Sequence, residues 1–110
     1  WIEKQLMLIY PKLEVHYNKK EVIKSELDIY IPSLNLAFEL NGIFHYKPIY
    51  GISKLEKIKL NDSNKLKLCI ENKIDLFIIN TSDQKRFKEL SSEKYLKIIT
   101  NVINKRLLII

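Results

Sequence analysis

Two acidic residues, Asp28 and Glu39, are spaced so that their side chains meet if this part of the chain folds as a hairpin. Each lies in a short stretch, 25–31 or 36–40, in which apolar and polar residues alternate as they do along a β-strand. The residues between, 32–35, include a proline and favour a turn. In a tight antiparallel hairpin the carboxylates are directly opposed, with Cβ atoms roughly 5 Å apart, and such like charges destabilise the sheet. The sequence therefore predicts either a metal ion between them or two acids on a solvent-facing surface.

A histidine and another acid lie downstream of this pair. His45 falls in a loop predicted over 41–54, a length that is often functional, and histidine titrates near neutral pH and can transfer protons. Asp62 lies on the apolar stripe of an amphipathic helix predicted over 55–73, where a carboxylate is costly unless it has a partner. The alternatives are an incidental loop histidine and an Asp62–Lys65 ion pair at the edge of the core. The other members of the stripe are Leu55, Ile58, Leu66 and Cys69.

The elements that position these residues follow from the periodicity of the apolar positions. A first helix, predicted over 1–10 and ended by Pro11, carries Glu3 at the edge of its apolar stripe, as a rim residue or a functional acid. The pattern also predicts an edge strand over 14–18, a strand over 74–79 that is buried on both faces and parallel to its neighbour, and a last helix over 92–107. The resulting order, α-β-β-β-α-β-α, predicts an α/β sandwich with a mixed central sheet and helices on both faces.

Composition limits the class of protein. The 110 residues make one domain (1–110), and because the chain starts at Trp1 rather than Met we expect it to be a fragment of a longer protein. The net charge of +6 favours a polyanionic partner, with solubility as the alternative.

The single cysteine excludes an internal disulfide and a thiolate zinc cluster. The sequence contains no signal-peptide pattern and no membrane-length apolar run, so we expect a cytoplasmic protein. The basic residues in and before the last helix are predicted to be its solvated surface; they are Lys85, Arg86, Lys88, Lys94, Lys97, Lys105 and Arg106.

Several segments, taken in order, resemble the PD-(D/E)XK nuclease superfamily. They are ELDIYIP, LAFELNGIFHYKP, Gly51, NDSNKLKLC and IDLFII, and the resemblance covers roughly residues 1–80. The chain is most similar to the branch of very-short-patch-repair endonucleases and phage- or intron-borne homing endonucleases, whose site is written EDxHD. The resemblance implies a restriction-endonuclease-like fold, a phage or mobile-element origin, and a metal-dependent DNA endonuclease that hydrolyses phosphodiester bonds.

The resemblance also implies a role for each candidate residue. Asp28 and Glu39 match the metal-binding acids and would hold Mg²⁺ or Mn²⁺. His45 matches the histidine that this branch uses for proton transfer, Asp62 the downstream helical acid, and Glu3 the acid of the first helix. Two positions depart from the superfamily pattern: Leu27 stands where the motif has proline, and Asn41 where it has the catalytic lysine.

Double-stranded DNA is the partner that the resemblance implies. The lysines on or near the loop and the next helix would contact phosphates without reading sequence; they are Lys47, Lys54, Lys57 and Lys59. The loop aromatics Phe44, Tyr46 and Tyr50 either stack on DNA or pack in the core. A homodimer or a flanking domain would read the target sequence. The alternatives are an inactive nucleic-acid-binding module that keeps the fold, for which Asn41 is the reason, and a protein-interaction domain.

Overall fold

The computed structural model describes residues 1–20, 23, 25–83 and 89–109, and these residues form three α-helices and four β-strands. In chain order they are α1 (Ile2–Ile9), β1 (His16–Lys19), β2 (Leu27–Ile31), β3 (Leu36–Asn41), α2 (Ile52–Glu71), β4 (Asp75–Asn80) and α3 (Glu89–Ile109). This is the predicted order α-β-β-β-α-β-α. The residues predicted as basic surface before the last helix, Lys85, Arg86 and Lys88, lie outside the described residues.

The central hairpin of β2 and β3 forms because both strands alternate apolar and polar residues and a tight turn joins them. A 3₁₀ turn at Pro32–Leu34 is followed by Asn35 in the left-handed conformation (φ 49°), which asparagine tolerates better than most residues. The strands are antiparallel and Ile31 pairs with Leu36, which is the predicted register. The hairpin therefore fixes which side chains of β2 and β3 share a face.

The sheet is mixed and has the order β1-β2-β3-β4. β1 and β3 are antiparallel to β2, whereas β4 is parallel to β3 because α2 carries the chain back across the sheet. The predicted parallel pairing of β4 is confirmed. The prediction that β4 is buried on both faces is wrong, because within the described residues β4 is an edge strand with Phe77 37% and Ile78 44% exposed.

Helices cover both faces of the sheet and enclose two apolar clusters. One lies under α1 and α3 and includes Leu6, Phe38, Tyr95, Ile99 and Ile103. The other lies under α2 and includes Ile23, Leu27, Ala37, Cys69 and Ile74. The chain is therefore an α/β protein with a mixed sheet between helices. Among the described residues, no helix is both long and apolar enough to cross a membrane.

Helix α2 differs in two respects from the sequence prediction. It begins at Ile52, so the predicted loop is reduced to a short connection that contains a 3₁₀ turn at Ile43–His45. Leu66 is 40% exposed, and Lys65 instead occupies the inward position of the stripe. The positions that face the sheet include Leu55, Ile58, Asp62, Lys65, Leu68 and Cys69, at the spacing of a helical face.

Candidate functional site

Asp28 and Glu39 lie opposite each other on the face of the sheet that α2 covers. The neighbouring pair in the register is Ile29 with Phe38, so the next step along the hairpin places Asp28 opposite Glu39. Ala37, two residues before Glu39 and on the same face of β3, packs with the α2 cluster. Glu39 is only 5% exposed, and Asp28 Oδ2 accepts a hydrogen bond of 2.8 Å from the Leu40 backbone N–H. The two carboxyl groups predicted to meet are therefore brought together, with one of them buried.

Burial and the second acid raise the pKa of Glu39 to about 8. The largest cause is desolvation, followed by the hydrogen bond and the charge of Asp28, while Lys65 acts in the opposite direction. A carboxyl group in this state holds a proton at neutral pH unless a cation takes the place of that proton. The face of the sheet thus carries an acid pair that is short of positive charge.

Lys65 provides positive charge at this acid pair. Its Nζ lies 3.0 Å from Glu39 Oε1, and its side chain is 19% exposed. The contact is close, but Oε1 lacks a partner with hydrogen-bond geometry, so the two groups attract each other mainly through charge. The alternative of an Asp62–Lys65 ion pair is wrong, because Lys65 extends from the inward face of α2 toward the sheet and pairs with Glu39. The signal in the sequence was its spacing from Asp62 and Cys69 on one helical face.

His45 and Asp62 form a second pair beside the first. His45 Nδ1 lies 2.8 Å from Asp62 Oδ2, and the side chains are 30% and 26% exposed. The 3₁₀ turn after β3 positions the histidine, and the middle of α2 positions the acid. An ionised carboxylate only accepts hydrogen bonds, so the contact favours a proton on Nδ1 and leaves Nε2 able to accept one.

A cavity of about 510 Å³ lies at the His45–Asp62 pair. His45, Asp62 and Lys65 line it together with polar residues that include Asn61 and Asn64. Lys65 contacts both this cavity and Glu39, so it links the His45–Asp62 pair to the acid pair on the sheet. The cavity gives solvent and small groups access to the histidine.

The donor set of the acid pair fits a hard divalent cation. Asp28 and Glu39 offer carboxylate oxygens, and Glu39 Oε1 is buried without a hydrogen-bond donor among the described residues. In the part of the chain that the structure describes, no group of three or more His, Cys, Asp or Glu side chains is arranged to hold a metal ion. An ion held by these two carboxylates would take its other ligands from water or substrate, as Mg²⁺ commonly does.

The structure does not bring Glu3 to this group. Glu3 lies on α1, whose buried residue Leu6 belongs to the cluster on the other face of the sheet. Its negative charge helps to raise the pKa of Tyr17, although burial of the Tyr17 hydroxyl is the larger cause. The first helix packs with α3, so its acid lies away from Asp28 and Glu39.

The predicted DNA-contacting residues lie on an exposed surface beside His45. Phe44 and Tyr50 stack with ring centroids 5.1 Å apart and are 42% and 71% exposed, and Lys54 Nζ lies 5.9 Å from the Tyr50 ring centroid. Their exposure shows that these two rings do not belong to the core. The lysines proposed for phosphate contacts are all exposed; they are Lys47, Lys54, Lys57 and Lys59.

Compared with known proteins, the chain matches no protein-family model, no curated protein and no solved structure. The resemblance to PD-(D/E)XK nucleases therefore stays a prediction from the residues. The structural support for a function consists of the contacts among Asp28, Glu39, Lys65, His45 and Asp62.

Proposed function

We propose that this protein is a metal-dependent DNA endonuclease of the PD-(D/E)XK type, with a restriction-endonuclease-like fold. The observation that supports it best is that α2 carries Asp62 to His45 and Lys65 to Glu39. A proton acceptor and a carboxylate pair thereby lie on one side of the sheet. Hydrolysis of a phosphodiester needs these two kinds of group close together. We expect the protein to act in the cytoplasm, where DNA is accessible.

The carboxylates of Asp28 and Glu39 would hold Mg²⁺ or Mn²⁺. When bound, the ion supplies positive charge to the phosphate that is being cleaved. The Leu40 N–H donates a hydrogen bond to Asp28 Oδ2 and thereby orients that carboxylate. Glu39 is buried, and charge interactions are strong in a buried site.

His45 would accept a proton from the attacking water at Nε2. Asp62 positions the ring through Nδ1 and stabilises its charged form after proton transfer. With His45 as the proton acceptor, catalysis would not need the motif lysine on β3, whose position is occupied by the buried Asn41. The Lys65 ammonium, brought from α2, supplies positive charge at the same acid.

DNA would bind along the surface next to His45. The exposed lysines contact phosphates, and the stacked pair of Phe44 and Tyr50 offers an aromatic surface to bases. The net charge of +6 adds long-range attraction to the polyanion. These interactions give affinity, so recognition of a particular sequence would come from a second copy or from a flanking domain.

The second candidate is a nucleic-acid-binding module without catalytic activity. It is favoured by Asn41 and by the raised pKa of Glu39, which keeps that acid protonated at neutral pH if no cation binds. Both candidates predict salt-dependent DNA binding, and only the first predicts cleavage.

Plasmid cleavage separates the two candidates. We expect supercoiled plasmid to be nicked or linearised in Mg²⁺ or Mn²⁺ by the unmodified chain and by the controls His16→Ala and Glu56→Gln, whose side chains lie outside the site. Asp28→Asn and His45→Ala should lose cleavage and keep DNA binding. Binding by the unmodified chain with no cleavage in either metal would favour the inactive module, and equal cleavage by all variants would contradict the proposed site.

A further inference from the structure

We propose that Lys65 is the resident counter-ion of the Asp28–Glu39 pair, and that its ammonium and a divalent cation occupy Glu39 Oε1 in turn. Metal binding then requires Lys65 to leave Glu39 and to move into the cavity that it lines. This inference rests on the metal site of the proposed function, and it assigns to Lys65 a positioning role that the sequence pattern does not contain.

The first support is the burial of both charged groups. The side chains of Lys65 and Glu39 are 19% and 6% exposed, and their contact of 3.0 Å joins α2 to the sheet. A largely buried ammonium needs an opposite charge, because desolvation without one is costly. Within the described residues, Glu39 is the acid that lies at ion-pair distance from Lys65. Above about pH 8, where Glu39 is ionised, each group therefore neutralises the charge of the other as long as no other cation is bound.

The second support is the loose geometry of the contact. Lys65 Nζ lies 3.0 Å from Glu39 Oε1 but outside the angles of a well-formed hydrogen bond, so a single, poorly aligned contact holds the ammonium at the acid. An ion pair of this kind exchanges its cation more easily than one fixed by two parallel hydrogen bonds. The flexible four-carbon stem of lysine permits the movement.

The third support is steric and electrostatic. Carboxylate oxygens bind Mg²⁺ at about 2.1 Å, so an ion on Oε1 would lie next to the present position of Nζ. Two cations at this spacing in a buried site repel each other strongly. The cavity of about 510 Å³ offers Lys65 an alternative position, lined by Asn61, Asp62 and Asn64, whose polar groups can solvate the ammonium.

Acetylation of lysines in the whole chain, read by mass spectrometry, tests the exchange. Labelling at pH 8.5, where Glu39 is ionised, is compared with saturating Mg²⁺ and with NaCl of equal ionic strength, and calorimetry under the same conditions reports Mg²⁺ binding. We expect acetylation of Lys65 to rise by about fivefold with Mg²⁺, because an ion-paired amine reacts slowly and a released one reacts freely. Lys67, exposed on the same helix, is the internal reference and should change little.

Two matched variants locate the effect. Glu39→Gln removes the counter-charge, so Lys65 should be labelled rapidly without Mg²⁺ and should not respond to it. Glu71→Gln removes an exposed acid from the end of the same helix and should behave as the unmodified chain does.

The outcomes distinguish this inference from the function on which it rests. Mg²⁺ binding with unchanged or slower labelling of Lys65 overturns the exchange and leaves the metal site intact. No Mg²⁺ binding at all overturns both. Faster labelling with Mg²⁺ in a protein that does not cleave DNA supports the exchange and counts against the nuclease.

Discussion

His45 and Asp62 are 17 residues apart in the chain, yet Nδ1 of the histidine lies 2.8 Å from Oδ2 of the acid. The contact joins the turn that follows the central strand β3 to the middle of helix α2. Because Asp62 faces the sheet at a position that apolar residues normally occupy, its carboxylate needs a partner, and His45 is that partner. The pair gives the imidazole a fixed orientation beside an open cavity.

The first prediction concerns the proton-transfer role of His45. His45→Ala should slow single-turnover cleavage of a DNA duplex by about 10²–10⁴-fold, which is the usual contribution of a general base. Added imidazole should restore part of the rate, because it can accept the proton in the space left by the side chain. The measurement is the cleavage rate at saturating protein with and without imidazole.

His16 provides the control for this experiment. It is the other histidine of the chain, lies on the edge strand β1 and contacts Glu14 instead of a site residue. His16→Ala should cleave at the rate of the unmodified chain and should not respond to imidazole. A loss of rate in His45→Ala that imidazole fails to restore, together with weaker folding, would indicate a structural role.

The second prediction concerns the pH dependence of stability. The pKa of Glu39 is about 8 in the folded protein and 4.5 as the reference for the unfolded chain. The folded state therefore binds more protons between these values, and the free energy of unfolding should fall as the pH rises from about 4.5 to 8 and then level off. The Glu39→Gln variant mimics the protonated acid. It should match the unmodified chain at pH 5 and be more stable by about 2–4 kcal/mol at pH 8.5 without metal.

Urea denaturation at both pH values measures this difference. Glu56→Gln, on the exposed face of α2, removes the same charge and should show the pH profile of the unmodified chain. If Glu39→Gln were equally destabilised at both pH values, the raised pKa of Glu39 would not be the cause of the change in unfolding free energy with pH. Mg²⁺ should stabilise the unmodified chain at pH 8.5 and have little effect on Glu39→Gln.

Much of the fold follows from local pattern. The alternation in β2 and β3 placed Ile29, Ile31 and Phe38 on one face, and the short turn left one register that keeps them in the core. Leu27, two residues before Ile29 in the same alternation, packs in the α2 cluster instead. The exposure of β4 did not follow, because an apolar run of strand length looks the same at the edge of a sheet and in its centre. What decides the exposure of Phe77 and Ile78 is the number of strands, which depends on the whole chain.

The part of the candidate site that depends on local structure was predictable from the sequence, and the part that depends on tertiary packing was not. The opposition of Asp28 and Glu39 depends on register within one hairpin, and that register is a local property. Lys65 lies three residues after Asp62, so a pair within the helix was open to it, and its pairing with Glu39 depends on how α2 crosses the sheet, which is a property of tertiary packing. The position of Glu3 likewise depends on which face α1 covers, and the sequence pattern of a single amphipathic helix does not specify that face.

The third prediction concerns the turn that sets the register of the hairpin. Asn35 has φ 49° and ψ 46°, a left-handed conformation that β-branched residues adopt only with strain. Asn35→Val should lower the free energy of unfolding by about 1–2 kcal/mol, whereas Asn35→Gly should change it little. Thermal denaturation measures the effect, with Ser33→Val in the same exposed turn as control. Equal loss in Asn35→Val and Ser33→Val would mean that the left-handed position is not the cause.

The fourth prediction concerns how DNA is held. The double variant Lys54→Gln/Lys57→Gln should reduce the slope of the logarithm of DNA affinity against the logarithm of salt concentration by about 1.8, since each phosphate contact contributes about 0.9. Lys97→Gln/Lys105→Gln removes the same charge from exposed positions of α3, away from His45, and should change the slope much less. Tyr50→Ala should weaken binding to a single strand, whose base faces are free, by about 1–3 kcal/mol through lost stacking and leave the salt slope unchanged. Fluorescence anisotropy over a series of salt concentrations, with a labelled duplex for the lysine variants and a labelled single strand for Tyr50→Ala, gives both quantities. Equal slopes for the two double variants would show that net charge, and not the surface beside His45, attracts DNA.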